Sequence, residues 1–135
     1  MRSDSEKLIR SYYDRFNDKD VKGFLDLLTD DVAHDVNLGG RETGKEAFAT
    51  FLERMNRCYD EAIVDLVIMT NEGGTHGAAE FTVLGKYLVT DLGLPPAHGQ
   101  VYKLPGGAFF EIRKNRISRI ANTYNLHAWL KQVTV

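Results

Sequence analysis

Cysteine and long apolar runs are scarce in this sequence, and each shortage excludes a class of protein. The single cysteine, Cys58, excludes an intramolecular disulfide and a multi-cysteine metal site. It suits a reducing compartment such as the cytoplasm. The sequence has no apolar run long enough to cross a bilayer, and its charged opening, Met1–Glu6, lacks the apolar stretch of a signal peptide. We therefore predict a cytoplasmic protein without a membrane partner.

Neither sign of charge dominates, and the residues of common cofactor motifs are missing. Seventeen basic residues stand against 19 acidic ones, which gives no electrostatic reason to expect a nucleic acid. The four histidines are too far apart for a zinc motif, and Gly39–Gly40 and Gly106–Gly107 lack the context of a phosphate loop. We predict no metal site, no cofactor and no nucleic-acid partner.

The residues that are present describe one α+β domain over 1–135. Hydrophobic residues make up 43% and charged residues 27%, which is typical of a globular protein. Apolar residues at helical spacing predict three N-terminal helices, around Leu8–Phe16, Val21–Leu28 and Ala47–Met55. The expected helix caps are Ser3 with Glu6, Asp18 or Asp20, and Thr43 with Glu46.

Beyond the third helix the pattern changes to that of strands. Their short, turn-rich connections predict an antiparallel sheet with helices on one face. The middle strands, at about fourteen residues, must curve, and we expect bulges or bends at Gly85 and Pro105–Gly107. A strongly curved sheet leaves a concavity for a ligand. The predicted strands are Ala62–Thr70, His76–Thr90, Gly99–Arg113 and Arg116–Leu126.

Both faces of the first predicted strand are apolar. Ile63 and Val67 alternate with Val64 and Leu66. Helices can cover only one of these faces, so the other needs a partner. We predict a homodimer packed through the outer sheet face.

Tyr12–Gly40, which reads YYDRFNDKDVKGFLDLLTDDVAHDVNLGG, resembles the opening of ketosteroid isomerases and SnoaL-like polyketide cyclases. These proteins belong to the nuclear-transport-factor-two-like superfamily. His34–Gly40, Gly93–Gln100 and Ala108–Ile112 resemble its ketosteroid isomerase-related branch. The resemblance implies a cone of three N-terminal helices packed on a strongly curved antiparallel β-sheet that encloses a pocket. It does not define the reaction, because this fold hosts isomerases, cyclases, hydrolases and binding modules.

The resemblance also implies roles for particular residues. Ketosteroid isomerases use an aspartate as base, while a tyrosine and a protonated carboxylic acid bind the oxyanion. Tyr12 matches the tyrosine, and the base falls on Asp35 or, without a gap, on Val36. If the position is Val36, then His34 shares its face, because side chains alternate along a strand. The acid position falls on Ala108 or a neighbouring glycine, which cannot donate a side-chain hydrogen bond.

We therefore predict Asp35, His34 and Tyr12 as catalytic residues. Asp35 or His34 would remove a proton next to a carbonyl, and Tyr12 would stabilise the enolate. The alternatives are a solvated acid, a buried histidine and a core tyrosine. The predicted ligand-binding residues are Asn37, Tyr87, Tyr102, Tyr124 and Trp129. The four aromatic residues are equally compatible with a place in the core or at a dimer contact, and Asn37 is also compatible with turn chemistry beside Gly39–Gly40.

Three other features allow two interpretations each. Glu80 and Glu111 are either pocket acids or outward residues paired across strands. The segment Leu92–Gly99 is either a lid or a stiffened hairpin. The leading function is a cofactor-independent isomerase- or cyclase-like enzyme acting on a small hydrophobic molecule. The alternative is a non-catalytic small-molecule-binding module of the same fold.

Overall fold

The computed structural model describes residues 2–134 and contains a six-stranded curved sheet and four helices. The long predicted strands correspond to β3–β6, whereas the sequence-based interpretation lacks β2 and α4. In chain order the elements are α1 (Arg2–Asn17), α2 (Val21–Asp26), β1 (Leu28–Asp35), β2 (Arg41–Thr43), α3 (Lys45–Cys58), β3 (Tyr59–Thr70), β4 (His76–Tyr87), β5 (Gln100–Arg113), β6 (Arg116–Tyr124) and α4 (Leu126–Val133).

The sheet is mixed, with the strand order β2-β1-β6-β5-β4-β3. β1 runs parallel to β6, and the other neighbouring strands are antiparallel. The prediction of an antiparallel sheet is therefore wrong at this one pairing. Hairpin-length connections reveal only strands that are consecutive in sequence, whereas β6 returns beside β1 after four intervening strands and α3.

The helix ends differ from two of the three predicted caps. Asp20 caps α2, and its carboxylate accepts a hydrogen bond from the backbone nitrogen of Gly23 at 2.9 Å. Ser3 lies inside α1 rather than before it. The N-cap of α3 is Gly44, which has a φ of 99° and provides no side-chain bond, so the Thr43–Glu46 capping box is wrong. A left-handed backbone at this turn favours glycine over a capping side chain.

The helices cover the inner, concave face of the sheet with an aromatic core. Tyr12 of α1 packs on Phe24 of α2 with ring centroids 4.5 Å apart, and on Phe110 of β5 at 5.3 Å. Trp129 of α4 packs on Tyr87 at 5.2 Å. Within residues 2–134, no helix combines the length and apolar character that a membrane span needs.

The strand irregularities lie away from the glycines predicted to cause them. Register shifts occur in β3 near Asp65, which has a φ of 54°, and between Glu111 and Ile112 of β5. Gly85 and Gly106 keep their register, so the prediction of bulges there is wrong. These glycines instead make room for aromatic rings, since a Cβ at Gly85 would overlap the Tyr102 ring.

Candidate active site on the concave face

A cavity of about 390 Å³ lies between the concave face of the sheet and the helices. Its size falls within the usual range for small-molecule pockets. Most of its wall is aromatic or aliphatic, with Phe16, Phe51, Met55, Phe81 and Leu104 among the lining residues. A small number of polar groups interrupt this apolar wall.

His34 is the central polar residue on the β1 side of the cavity. It is buried, stacks on Phe48 with ring centroids 4.6 Å apart, and meets the Phe51 ring edge at 4.5 Å. Its Nδ1 lies 3.4 Å from Oε1 of Glu42, its partner on β2, and its Nε2 lies 3.2 Å from Nδ2 of Asn122 on β6. The parallel pairing of β1 with β6 thus places an amide beside the imidazole.

The surroundings of His34 favour a neutral imidazole. Burial lowers its pKa from the usual value, and the nearby Glu42 carboxylate opposes this effect. An Asn122 amide nitrogen that donates to Nε2 requires the tautomer with the ring proton on Nδ1, the nitrogen that lies 3.4 Å from Glu42. A neutral ring with an acceptor nitrogen is the form that a general base requires.

Two tyrosines of α1 also line the cavity. Among residues 2–134 no hydrogen bond to the Tyr12 hydroxyl is found, and the buried Tyr13 hydroxyl has no partner there either. Burial raises the pKa of both phenols, so each keeps its proton and remains a donor. The unpaired Tyr13 hydroxyl is fully buried and costs about 1–3 kcal/mol, whereas the Tyr12 hydroxyl is not fully buried and can meet a ligand oxygen. The sequence interpretation contains Tyr12 but not Tyr13.

Asp35 lies on the other face of β1, outside the cavity lining. Arg41 donates to its two carboxylate oxygens at 2.6 and 3.0 Å, and Arg119 donates a third bond at 2.9 Å. These bonds lower the pKa of Asp35 to about 2. The carboxylate is therefore too weak a base for proton abstraction near neutral pH. Val36, which takes the place of the ketosteroid isomerase base when no gap is introduced, lines the cavity together with His34. The two side chains share one face because side chains alternate along a strand.

Three of the five predicted ligand-binding residues line the cavity, namely Asn37, Tyr124 and Trp129. The Asn37 side-chain oxygen accepts a hydrogen bond from the backbone nitrogen of Tyr124 at 2.8 Å. This bond fixes the segment after β1 to the end of β6. Burial raises the pKa of Tyr124, which keeps its hydroxyl protonated.

Tyr87 is buried outside the cavity lining and anchors the following loop. Its hydroxyl donates to the carbonyl of Pro95 at 2.7 Å and accepts from the backbone nitrogen of Asp91 at 3.0 Å. The Gln100 amide donates to the carbonyls of Pro96 and Val133, each at 2.9 Å. These bonds favour the interpretation of Leu92–Gly99 as a stiffened hairpin over that of a lid.

Tyr102 also lies outside the cavity lining, but it holds a residue that lines it. The Tyr102 hydroxyl donates to Oε2 of Glu61 at 2.5 Å. Nearby, Asp91 lines the cavity and accepts a hydrogen bond from the Tyr59 hydroxyl at 2.8 Å, while Arg54 approaches it at 3.8 Å. This side of the cavity therefore carries a second group of polar residues.

The other acids and the predicted acid position match the sequence interpretation more closely. Glu80 is exposed, and Glu111 pairs with Arg119 on β6 at 3.3 Å. Gly107 lines the cavity and Ala108 is buried beside it. The position that carries an acid in ketosteroid isomerases thus offers no side-chain donor here.

Comparison with known proteins identifies the family. The SnoaL-like domain matches residues 9–120. The chain belongs to this family. No match was found among curated proteins.

Solved structures support this assignment to the SnoaL-like family. A Pseudomonas putida protein provisionally described as a polyketide cyclase is 52% identical, with a TM-score of 0.95, covering 96% of this chain and 97% of that chain. A Xanthomonas campestris protein with the same description is 49% identical, with a TM-score of 0.94 and 97% of both chains covered. An NTF2-like protein of Burkholderia xenovorans, 13% identical with a TM-score of 0.79 over 98% of each chain, shares the fold alone.

Several polar residues of this SnoaL-like cavity are absent from the sequence interpretation. Glu42 follows the Gly39–Gly40 turn and faces His34 only because β2 folds back on β1. Asn122 comes beside His34 through a parallel pairing that the sequence does not reveal. Glu61 could have been predicted from the sequence, because it lies two residues before the buried Ile63 and side chains two apart on a strand point to the same face.

Proposed function

We propose that this SnoaL-like protein is a cofactor-independent isomerase- or cyclase-like enzyme that removes a proton next to a carbonyl of a small, mainly apolar molecule. The observation that carries the proposal is His34, a neutral imidazole in the wall of an apolar cavity, placed between Glu42 and Asn122. The relatives provisionally described as polyketide cyclases are compatible with this class of reaction.

In the proposed reaction His34 acts as general base and Tyr12 of α1 binds the oxyanion. The substrate C–H replaces the Asn122 amide at the lone pair of Nε2. Nε2 then takes the proton, the C–H electron pair forms the C=C bond of the enolate, and the carbonyl electrons move to oxygen. The hydroxyl of Tyr12 donates to that oxygen, and the charge of Glu42 stabilises the imidazolium. Return of the proton to another carbon shifts the double bond, whereas attack of the enolate on a second carbonyl closes a ring.

Binding without chemistry is the alternative function. It is favoured by the missing acid at Gly107–Ala108, because the loss of one oxyanion donor costs about 2.7–4 kcal/mol in other enzymes. Such a module would hold the ligand in the same cavity without removing its proton. Proton exchange at carbon separates the two functions.

The test is hydrogen–deuterium exchange next to the carbonyl of 2-tetralone, a small bicyclic ketone, followed by NMR in D₂O. We expect exchange above the buffer rate with the wild type and a loss of about 100-fold in His34→Gln, because general bases contribute that much. Tyr12→Phe should lose about tenfold or more. His76→Gln, which changes an exposed histidine at the start of β4, is the matched control and should exchange normally.

Two results would contradict the proposed enzyme. One is exchange no faster than in buffer with the folded wild type. The other is a rate in His34→Gln equal to that of the wild type. Saturable binding of 2-tetralone without exchange would support the binding module instead.

A further inference from the structure

Three neighbouring strands carry Glu61, Gly85 and Tyr102 in one row across the sheet. Glu61 of β3 pairs with Gly85 of β4, which pairs with Tyr102 of β5. The Tyr102 ring crosses the position that a Cβ of residue 85 would occupy, and its hydroxyl reaches Glu61. The glycine is therefore what allows a tyrosine two strands away to bind the acid.

The Glu61 carboxyl has one oxygen held and one available. Oε2 accepts the bond from Tyr102 at 2.5 Å, while no hydrogen bond to Oε1 is found within residues 2–134. Glu61 lines the cavity, and its unpaired Oε1 atom is not fully buried. Burial raises the pKa of Glu61, which favours the protonated acid. Burial of an acid without a full set of hydrogen-bond partners lowers the stability of the folded protein. Stability alone therefore does not explain a carboxyl group at this position.

Two other polar side chains on this side of the cavity, Asp91 and Arg54, already have partners. Asp91 accepts a bond from Tyr59 and lies 3.8 Å from Arg54, whose guanidinium also lies over the Phe51 ring. Among the described residues that line the cavity, Arg54 is the only arginine or lysine, and Asp91 already offsets its charge. The arrangement therefore favours a neutral ligand over an anionic one.

His34 and Glu61 come from strands that β6, β5 and β4 separate in the sheet. Both side chains nevertheless line the same cavity, because the sheet curves around it. Their polar groups thus approach a bound molecule from different walls.

We infer that Glu61, positioned by Tyr102, is a second ligand-binding group that hydrogen-bonds a hydroxyl or carbonyl oxygen at the end of the ligand remote from His34. This inference rests on the proposed function for the role of His34. The ligand class is a neutral, mainly apolar molecule with a carbonyl near one end and a second oxygen near the other. Tyr102 is a positioning residue, since it acts through Glu61.

The experiment compares the dissociation constants of 2-tetralone and 6-hydroxy-2-tetralone, which differ by one hydroxyl at the far end. We expect the wild type to bind the hydroxylated ketone about five- to tenfold more tightly, as one hydrogen bond provides. Glu61→Leu should abolish this preference and leave 2-tetralone affinity within about twofold. Glu61→Gln should retain most of it, because a carboxamide accepts from Tyr102 and donates to the ligand.

Further variants distinguish direct contact from general damage. Tyr102→Phe should reduce the preference only in part, because Glu61 loses its fixed orientation but not its oxygen. Glu80→Leu, on the exposed face of β4, is the matched control and should keep the full preference. Unfolding midpoints should show that each variant is folded.

The outcomes for Glu61 and for the proposed reaction can be separated. His34→Gln should lose exchange while keeping the hydroxyl preference. A preference that follows Glu61 without any exchange in the wild type would contradict the proposed enzyme alone. Absence of the preference in the wild type, its persistence in Glu61→Leu, or failure of both ketones to bind would overturn the inference.

Discussion

Asp35 illustrates how the partners of a single side chain decide its role. Its bonds to Arg41 and Arg119 hold its pKa at about 2, below the usual 3.8. A lowered folded-state pKa stabilises the protein above about pH 4, and this contribution is lost as the pH falls toward 2. Asp35→Asn should therefore lower the free energy of unfolding by about 1 kcal/mol at pH 6, the upper range for an ion pair at the protein surface.

Urea unfolding of wild type and Asp35→Asn between pH 6 and pH 2.5 measures this effect. The difference between the two proteins should shrink as the pH falls. Asp14→Asn, which changes an exposed acid in α1, provides the control. A constant difference across the pH range would show that the ion pairs are not its cause. Asp35→Asn should also retain proton exchange in 2-tetralone.

The sequence predicts that β1 contributes to the site, but it does not predict which face of β1 points into the cavity. Alternation along a strand places either Asp35 or both His34 and Val36 on the inner face, and the sequence does not choose between them. The choice is made by contacts from distant elements, namely Arg119 on one face and Asn122 on the other. Residues whose role depends on such partners, including Glu42 and Asn122, cannot be assigned before the strand order is known.

In strand β4, the absence of a side chain at Gly85 determines where the neighbouring Tyr102 ring packs. A Cβ at Gly85 would overlap the Tyr102 ring and lie 2.5 Å from its hydroxyl oxygen. Gly85→Ala should therefore displace the ring and lower the free energy of unfolding by about 1–3 kcal/mol, the usual cost of overpacking. It should also weaken the preference for 6-hydroxy-2-tetralone, because Tyr102 no longer orients Glu61.

Chemical denaturation of Gly85→Ala beside Gly73→Ala provides the measurement and its control. Gly73 has no atom within 4 Å of its added Cβ, so that variant should stay within about 0.5 kcal/mol of the wild type. Equal stability of both variants would mean that the Tyr102 ring has another place to pack.

Local sequence patterns predict the elements better than their arrangement. The β-branched and aromatic runs correspond to β3–β6, and the cap at Asp20 is confirmed. The pairing of β1 with β6 is not predictable, because neither strand's own sequence indicates which strand it will pair with. Gly85 carries no bulge, because an isolated glycine in a strand permits close packing as readily as a change of register.

The molecule as a whole presents a second apolar surface, on the side of the sheet opposite the cavity. Val101 is 75% exposed, Phe109 53% and Leu84 42%, and all three lie on neighbouring strands β4 and β5. Exposed apolar side chains on one face of a sheet favour association, so we expect a homodimer packed through the outer sheet face. Because the cavity lies on the other side, each protomer would keep its own cavity accessible.

Light scattering coupled to size-exclusion chromatography tests this assembly. We expect a mass near twice the 15.2 kDa of one chain for the wild type, and the mass of one chain for Phe109→Asp. An aspartate at this position would place a charge without a partner in an apolar contact, which strongly disfavours association. Leu92→Asp, which alters a fully exposed leucine outside the sheet, should remain dimeric. A monomeric wild type at micromolar concentration would refute the dimer. If Phe109→Asp is monomeric and still exchanges protons in 2-tetralone, each cavity works without its neighbour.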